Sequence, residues 1–67
     1  MSVAKVIELL AEGDSLEDAI SDAVKEATKS VREVRSVYVD GIQALVEDGK
    51  VSKYRVNCKV SFVVHSA

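Results

Sequence analysis

Among its 67 residues the chain has no proline and no tryptophan. It has one phenylalanine (Phe62), one cysteine (Cys58) and one histidine (His65). Each scarcity removes a class of protein. A lone cysteine cannot close an intrachain disulfide, so no covalent staple holds the fold. One Cys and one His cannot fill a structural zinc site, which takes four ligands. No stretch approaches the ~20 apolar residues of a membrane-spanning helix. Residues 1–10 carry Lys5 and Glu8 and lack an apolar core run, so no signal peptide is expected. The three glycines, Gly13, Gly41 and Gly49, stand apart, so there is no glycine-rich phosphate loop. The net charge is −2 and the pI near 5.2, whereas a nucleic-acid binder of this size is usually basic. These features together lead us to expect a soluble, cytoplasmic protein with neither nucleic-acid nor membrane partners.

Sixty-seven residues make a single domain, spanning residues 1–67, near the lower limit for independent folding. A core of that size rarely supplies more than about 3–5 kcal/mol without help. With disulfide and zinc excluded, the help expected is self-association, through the edges and faces of a sheet.

What is present is patterning. From residue 52 to 64 the even positions read Ser52, Tyr54, Val56, Cys58, Val60, Phe62, Val64. The odd positions read Lys53, Arg55, Asn57, Lys59, Ser61 and Val63. Strand side chains alternate between faces, so this segment has one apolar face and one polar, cationic face. At roughly a dozen residues it is about twice the usual strand length. Glu47-Asp48-Gly49-Lys50 precedes it, and Asp-Gly is a strong hairpin signal. Residues 36–46 then read as the preceding strand, with Gly41 marking a bulge. Residues 3–10 alternate loosely and are rich in β-branched side chains, which predicts a first strand ended by Ala11-Glu12-Gly13-Asp14. Asp14 or Ser15 caps a helix that the spacing of Leu16, Ala19, Ile20, Ala23, Val24, Ala27 and Val31 extends to residue 32 or 33. Ser15 and Asp18 form a weak capping box. Ala19, Ala23 and Ala27 make a small-residue stripe that lets the helix lie close on a sheet.

The order is β-α-β-β, an α+β class. The first and second strands run parallel and the third returns between them. That predicts a three-stranded antiparallel sheet in the order 1-3-2, wrapped on one helix. The even face of the last strand meets the helix and the odd face looks away from it.

Catalytic chemistry is not visible. Cys58, between Val56 and Val60 on the apolar face, reads as a small buried hydrophobe. His65 reads as a solvated terminal side chain. Glu8, Asp40, Glu47 and Asp48 form no motif, and no serine has a His or acid partner at a recognisable spacing. The chain is not expected to be an enzyme. The row Lys53, Arg55, Asn57, Lys59 is a solvated face in a monomer. In an assembly the same row lines a subunit contact, or a pocket for an anion or a planar ligand.

An ordered set of segments resembles one family. It comprises Val3-Ala4-Lys5-Val6-Ile7-Glu8-Leu9, Ser15-Leu16-Glu17-Asp18-Ala19-Ile20, Ala23-Val24 and the run from Val31 to Val34. It continues with Val46-Glu47-Asp48-Gly49-Lys50-Val51, Tyr54-Arg55-Val56 and Lys59-Val60-Ser61-Phe62. Spread over nearly the whole chain, these resemble the dodecins. The resemblance implies a hollow, cubic homododecamer that stores or sequesters flavins. It also implies that flavins bind in pairs near two-fold axes. In the family each flavin stacks on a tryptophan at the start of strand two and meets a glutamine on strand three. Here those positions match Ser36 and Arg55. Stacking adds roughly 0.5–1.5 kcal/mol beyond area burial, and a guanidinium cannot accept a hydrogen bond as glutamine does. Tyr38, two residues beyond Ser36, offers a substitute ring or packs in an interface. The expected ligand-binding residues are therefore Ser36, Tyr38 and Arg55. The expected ligand is a flavin (riboflavin, FMN, FAD or lumichrome), bound weakly or not at all. The alternative is a structural or ion-binding shell, for example for calcium, in which acids such as Asp40 and Glu47 meet at symmetry axes.

Overall fold

A computed structural model describes residues 2–65. The elements are β1 (Ser2–Gly13), α1 (Leu16–Thr28), β2 (Val34–Glu47) and β3 (Lys50–His65). Both β1 and β2 pair with β3 in antiparallel fashion, so the sheet order is β1-β3-β2, as the pattern implied. No helix among the described residues is long and apolar enough to cross a membrane.

The long alternating strand is the centre of the fold. Its Val56, Cys58 and Val60 are fully buried against Ala19, Ala23 and Ala27 of α1. On either side the register sets Ile7 and Val37 beside Val60, and Leu9 and Val39 beside Cys58. The alanine stripe works as expected, because small side chains let the helix backbone approach the sheet. Gly13 continues that approach. A Cβ there would stand 2.6 Å from the Ala19 backbone nitrogen, so only glycine fits where β1 hands over to α1.

The Ser15 side chain accepts a hydrogen bond from the Asp18 backbone N–H at 3.1 Å, satisfying one of the donors a helix start leaves unpaired. At the hairpin, Asp48 (φ 51°) and Gly49 (φ 76°) both take left-handed backbone angles between paired Glu47 and Lys50. That is a two-residue turn whose twist matches the strands. The register also slips between Val39 and Gly41, placing the expected bulge.

Two boundaries differ from the sequence reading by more than two residues. The helix ends at Thr28, not at residue 32 or 33. The N–H groups of Ser30 and Val31 both donate to the Ala27 carbonyl, and Glu33 then takes φ 55° to turn the chain into β2. Val31 keeps the helical spacing but lies in this connection. The first strand does not break at Ala11. Ala11, Glu12 and Gly13 pair with Val56, Arg55 and Tyr54. The length of β3 explains this, since its backbone groups need ladder partners along that whole stretch. The terminal residues Ser66 and Ala67, read from the sequence as a frayed end, lie outside the described residues.

Candidate functional site

The face of the sheet away from α1 is uncovered in the protomer. Down its middle run Lys53, Arg55, Asn57, Lys59 and Ser61 of β3. Directly opposite on β1 are Val6 (beside Ser61), Glu8 (beside Lys59), Leu10 (beside Asn57) and Glu12 (beside Arg55). On β2 they are Ser36 (beside Ser61), Tyr38 (beside Lys59), Gly41 (beside Asn57) and Gln43 (beside Arg55). Large apolar side chains stand out from this face, among them Val6 at 58%, Leu10 at 66% and Tyr38 at 63% exposed.

Ser36, Tyr38 and Arg55 therefore share one face, but they are not gathered at one point. Ser36 sits opposite Ser61, six residues along β3 from Arg55, which is about 20 Å at strand spacing. Tyr38 lies between them. The Ser36 and Ser61 hydroxyls hydrogen-bond to each other across the strands, so the Ser36 position presents a small, satisfied polar pair.

Two of the three cations in this row, Arg55 and Lys59, are paired within the chain. The Arg55 guanidinium donates from Nε and Nη2 to one Glu12 carboxylate oxygen, at 3.1 and 2.8 Å. Lys59 Nζ lies 3.8 Å from Asp40 Oδ2, with Glu8 opposite on the other strand. These pairs are partly exposed, where such contacts contribute only about 0–1 kcal/mol each. Their larger effect is on ligand choice, because Arg55 and Lys59 each already face a carboxylate, while Lys53 has no ion pair among the described residues. Asp40, which the sequence left free to meet an ion at a symmetry axis, is held by Lys59. Among the described residues no cluster of three or more His, Cys, Asp or Glu is arranged to hold a metal ion.

Beside the Glu12–Arg55 pair is a half-open groove of about 320 Å³, lined by Leu10, Gly41, Ile42, Gln43, Arg55 and Asn57. Gln43 and Glu12 were not among the candidates read from the sequence. The bulge is the reason. Before it the open-face residues of β2 are even-numbered (Ser36, Tyr38); after it they are odd (Gly41, Gln43). Simple alternation from Ser36 puts Gln43 on the wrong face, and Gly41 was the one signal that the count would slip. Local pattern alone places Glu12 in the break after β1, whereas pairing with Arg55 keeps it in the strand. Cys58 lies on the opposite, buried face, and burial pushes its thiol pKa up. A protonated thiol without access to solvent is no nucleophile.

The family model for dodecins matches residues 3–65. A Thermus thermophilus protein of known structure is 28% identical, with a TM-score of 0.91 over 100% of both chains. A point mutant of T. thermophilus dodecin is also 28% identical, with a TM-score of 0.90 over 100% of both chains. Dodecin from Streptomyces coelicolor, 24% identical, superposes with a TM-score of 0.88 over 98% of this chain and 96% of its own. No curated protein matches the chain. The sheet order, the helix against its buried side and the match along nearly the whole sequence agree, and the chain belongs to the dodecin family.

Proposed function

We propose that this protein is a non-catalytic, cytoplasmic small-ligand binding and storage protein that works as a hollow homododecamer, and that its flavin site is weakened. The observation that carries the reading is the open sheet face. Val6, Leu10 and Tyr38 stand exposed there beside a half-open groove, on a fold whose family stores flavins. Apolar side chains around a few hydrogen-bonding groups are the usual lining of a small-molecule site.

The weakening follows from two positions. At Ser36 two hydroxyls satisfy each other where the family places a stacking ring. At Arg55 a guanidinium already paired with Glu12 stands where the family places an amide. Tyr38 is the aromatic that remains on this face. The site is shared between copies, since Ser36 and Arg55 of one chain are too far apart to hold one ring system.

Titrating the purified oligomer with riboflavin and with FMN, following flavin fluorescence, tests this. We expect saturable quenching with a Kd in the micromolar range or weaker. Nanomolar quenching would show that the site is intact. Metal analysis with a chelator control separates the calcium-shell alternative, whose acid Asp40 is already engaged by Lys59.

A further inference from the structure

The β2–β3 hairpin outruns the elements that cover it. The 13 residues of α1 span about 20 Å, whereas the 16 residues of β3 span about 50 Å. The helix packs on Val56, Cys58 and Val60, and β1 ends at Gly13, opposite Tyr54. Beyond Tyr54 the hairpin has no third strand, and every residue from 46 to 53 is exposed. A two-stranded ribbon of that kind is barely stable in water by itself.

Its two faces are both apolar but differ in charge. On the side away from α1 the register sets Val46 beside Val51 and Leu45 beside Lys53. A register slip between Leu45 and Val46 brings these consecutive residues to one face. The Ser52 hydroxyl donates to the Leu45 carbonyl at 3.2 Å and holds the slip in place. Val46 is 62% and Val51 53% exposed, and Lys53 at their edge has no ion pair among the described residues. On the helix side lies an open shelf of about 430 Å³, lined by Ser15, Leu16, Glu17 and Tyr54, with Ala44 paired beside Tyr54. Leu16 is exposed there, and Glu17 at the rim has no ion pair among the described residues.

We propose that the hairpin of one copy seats its Val46–Val51 face on the Leu16–Tyr54 shelf of the next copy, with Lys53 of the first against Glu17 of the second. The occupant is a second copy of this chain because the two surfaces complement each other and neither complements itself. One is apolar with an unpaired cation at its edge; the other is apolar with an unpaired carboxylate at its rim. A contact between two Val46–Val51 faces gathers two lysines and leaves both shelves bare. A contact between two shelves gathers two carboxylates and leaves both hairpins bare. The contact is therefore head to tail, and it closes only into a ring about an axis of order three or higher. Burial of Val46, Val51 and Leu16 drives it, while the Lys53–Glu17 pair at the rim fixes partner and register more than affinity. The proposal rests on the self-association in the reading above and supplies a contact which that reading does not name.

Native mass spectrometry of the full chain and its variants at one ionic strength tests it. The parent should be a closed oligomer, and Val46→Asp and Leu16→Asp should each lose that species. Each of these variants keeps one intact surface. Mixed in equal amounts, Val46→Asp copies offer their shelves to the hairpins of Leu16→Asp copies. The mixture should therefore give species containing both variants, heavier than either alone, without regaining the parent mass. Lys53→Glu should lower the population of the closed oligomer by about tenfold or more. Adding Glu17→Lys to that same chain should restore it. Where loss of assembly also unfolds the chain, the charge exchange decides, because the exchanged protein should recover both its circular dichroism and its mass. If the parent is closed but Val46→Asp or Leu16→Asp leaves it closed, the inference fails and the storage shell survives. It fails equally if the mixture contains no mixed species, or if Glu17→Lys does not rescue Lys53→Glu. If the parent is a stable monomer, the inference and the storage shell fall together.

Discussion

Gly13 and Gly41 show how differently two glycines of one chain are constrained. A Cβ at Gly13 strikes the Ala19 backbone at 2.6 Å, and backbone on a packed helix cannot swing aside. Gly13→Ala should therefore destabilise the protein by about 1–3 kcal/mol, the usual range for overpacking. Gly41→Ala meets nothing closer than 4.0 Å and should stay within about 0.5 kcal/mol of the parent. Urea unfolding of both variants checks the contrast. Cys58 gives a pH-dependent test. Its thiol is buried and its pKa is raised from 9.0 in the folded state. Below the unfolded value both states keep the proton, so the full stability is present. Above it the unfolded chain ionises first, so stability falls as pH rises, by at most about 1.4 kcal/mol per unit. Comparing native protein with Cys58→Ala between pH 8 and 10 isolates this slope, which the variant should lack. The native thiol should also resist a thiol-specific reagent until the chain unfolds.

Among the elements, β3 was the most readable because its two faces differ in nearly every residue and the central strand has to satisfy both. The hairpin was readable because Asp48 and Gly49 tolerate the left-handed angles the turn needs. Helix and first-strand boundaries were not. No proline or glycine marks the end of α1, and Val31 keeps the apolar spacing after the backbone has left the helix at Thr28. The continuation of β1 through Glu12 depends on pairing with Arg55, a partner far along the chain that local pattern cannot supply. For the same reason the sequence singled out Ser36, Tyr38 and Arg55 but missed the Glu12 contact and the displacement of Gln43 by the bulge. The local signals that did hold have measurable consequences. Ser15→Ala removes the cap on the Asp18 N–H and should cost about 1 kcal/mol. Gly49→Ala forces a side chain into φ 76° and should cost about 1 kcal/mol as well. Thermal unfolding of the two variants measures both.

As a whole molecule the protomer is a poor monomer. It measures 54 × 19 × 13 Å, and its radius of gyration of 14.0 Å exceeds the roughly 11 Å of a compact chain this long. Its core holds Val56, Val60, Phe62 and Cys58 with three alanines. Val3, Val6, Leu10, Leu16, Tyr38, Ile42, Val46, Val51 and Val64 remain exposed. Both outer strands present unpaired ladder edges, which proteins cover, charge or pair. A sheet this long on one short helix is stable when copies of itself bury those surfaces, and the proposed ligand site is completed only between copies. Native mass spectrometry of the purified protein tests this most directly. A dominant species at twelve times the 7.2 kDa chain mass, with no appreciable monomer, is the expected result. A stable monomer, or an open-ended ladder of sizes, would contradict the closed storage shell on which the account rests.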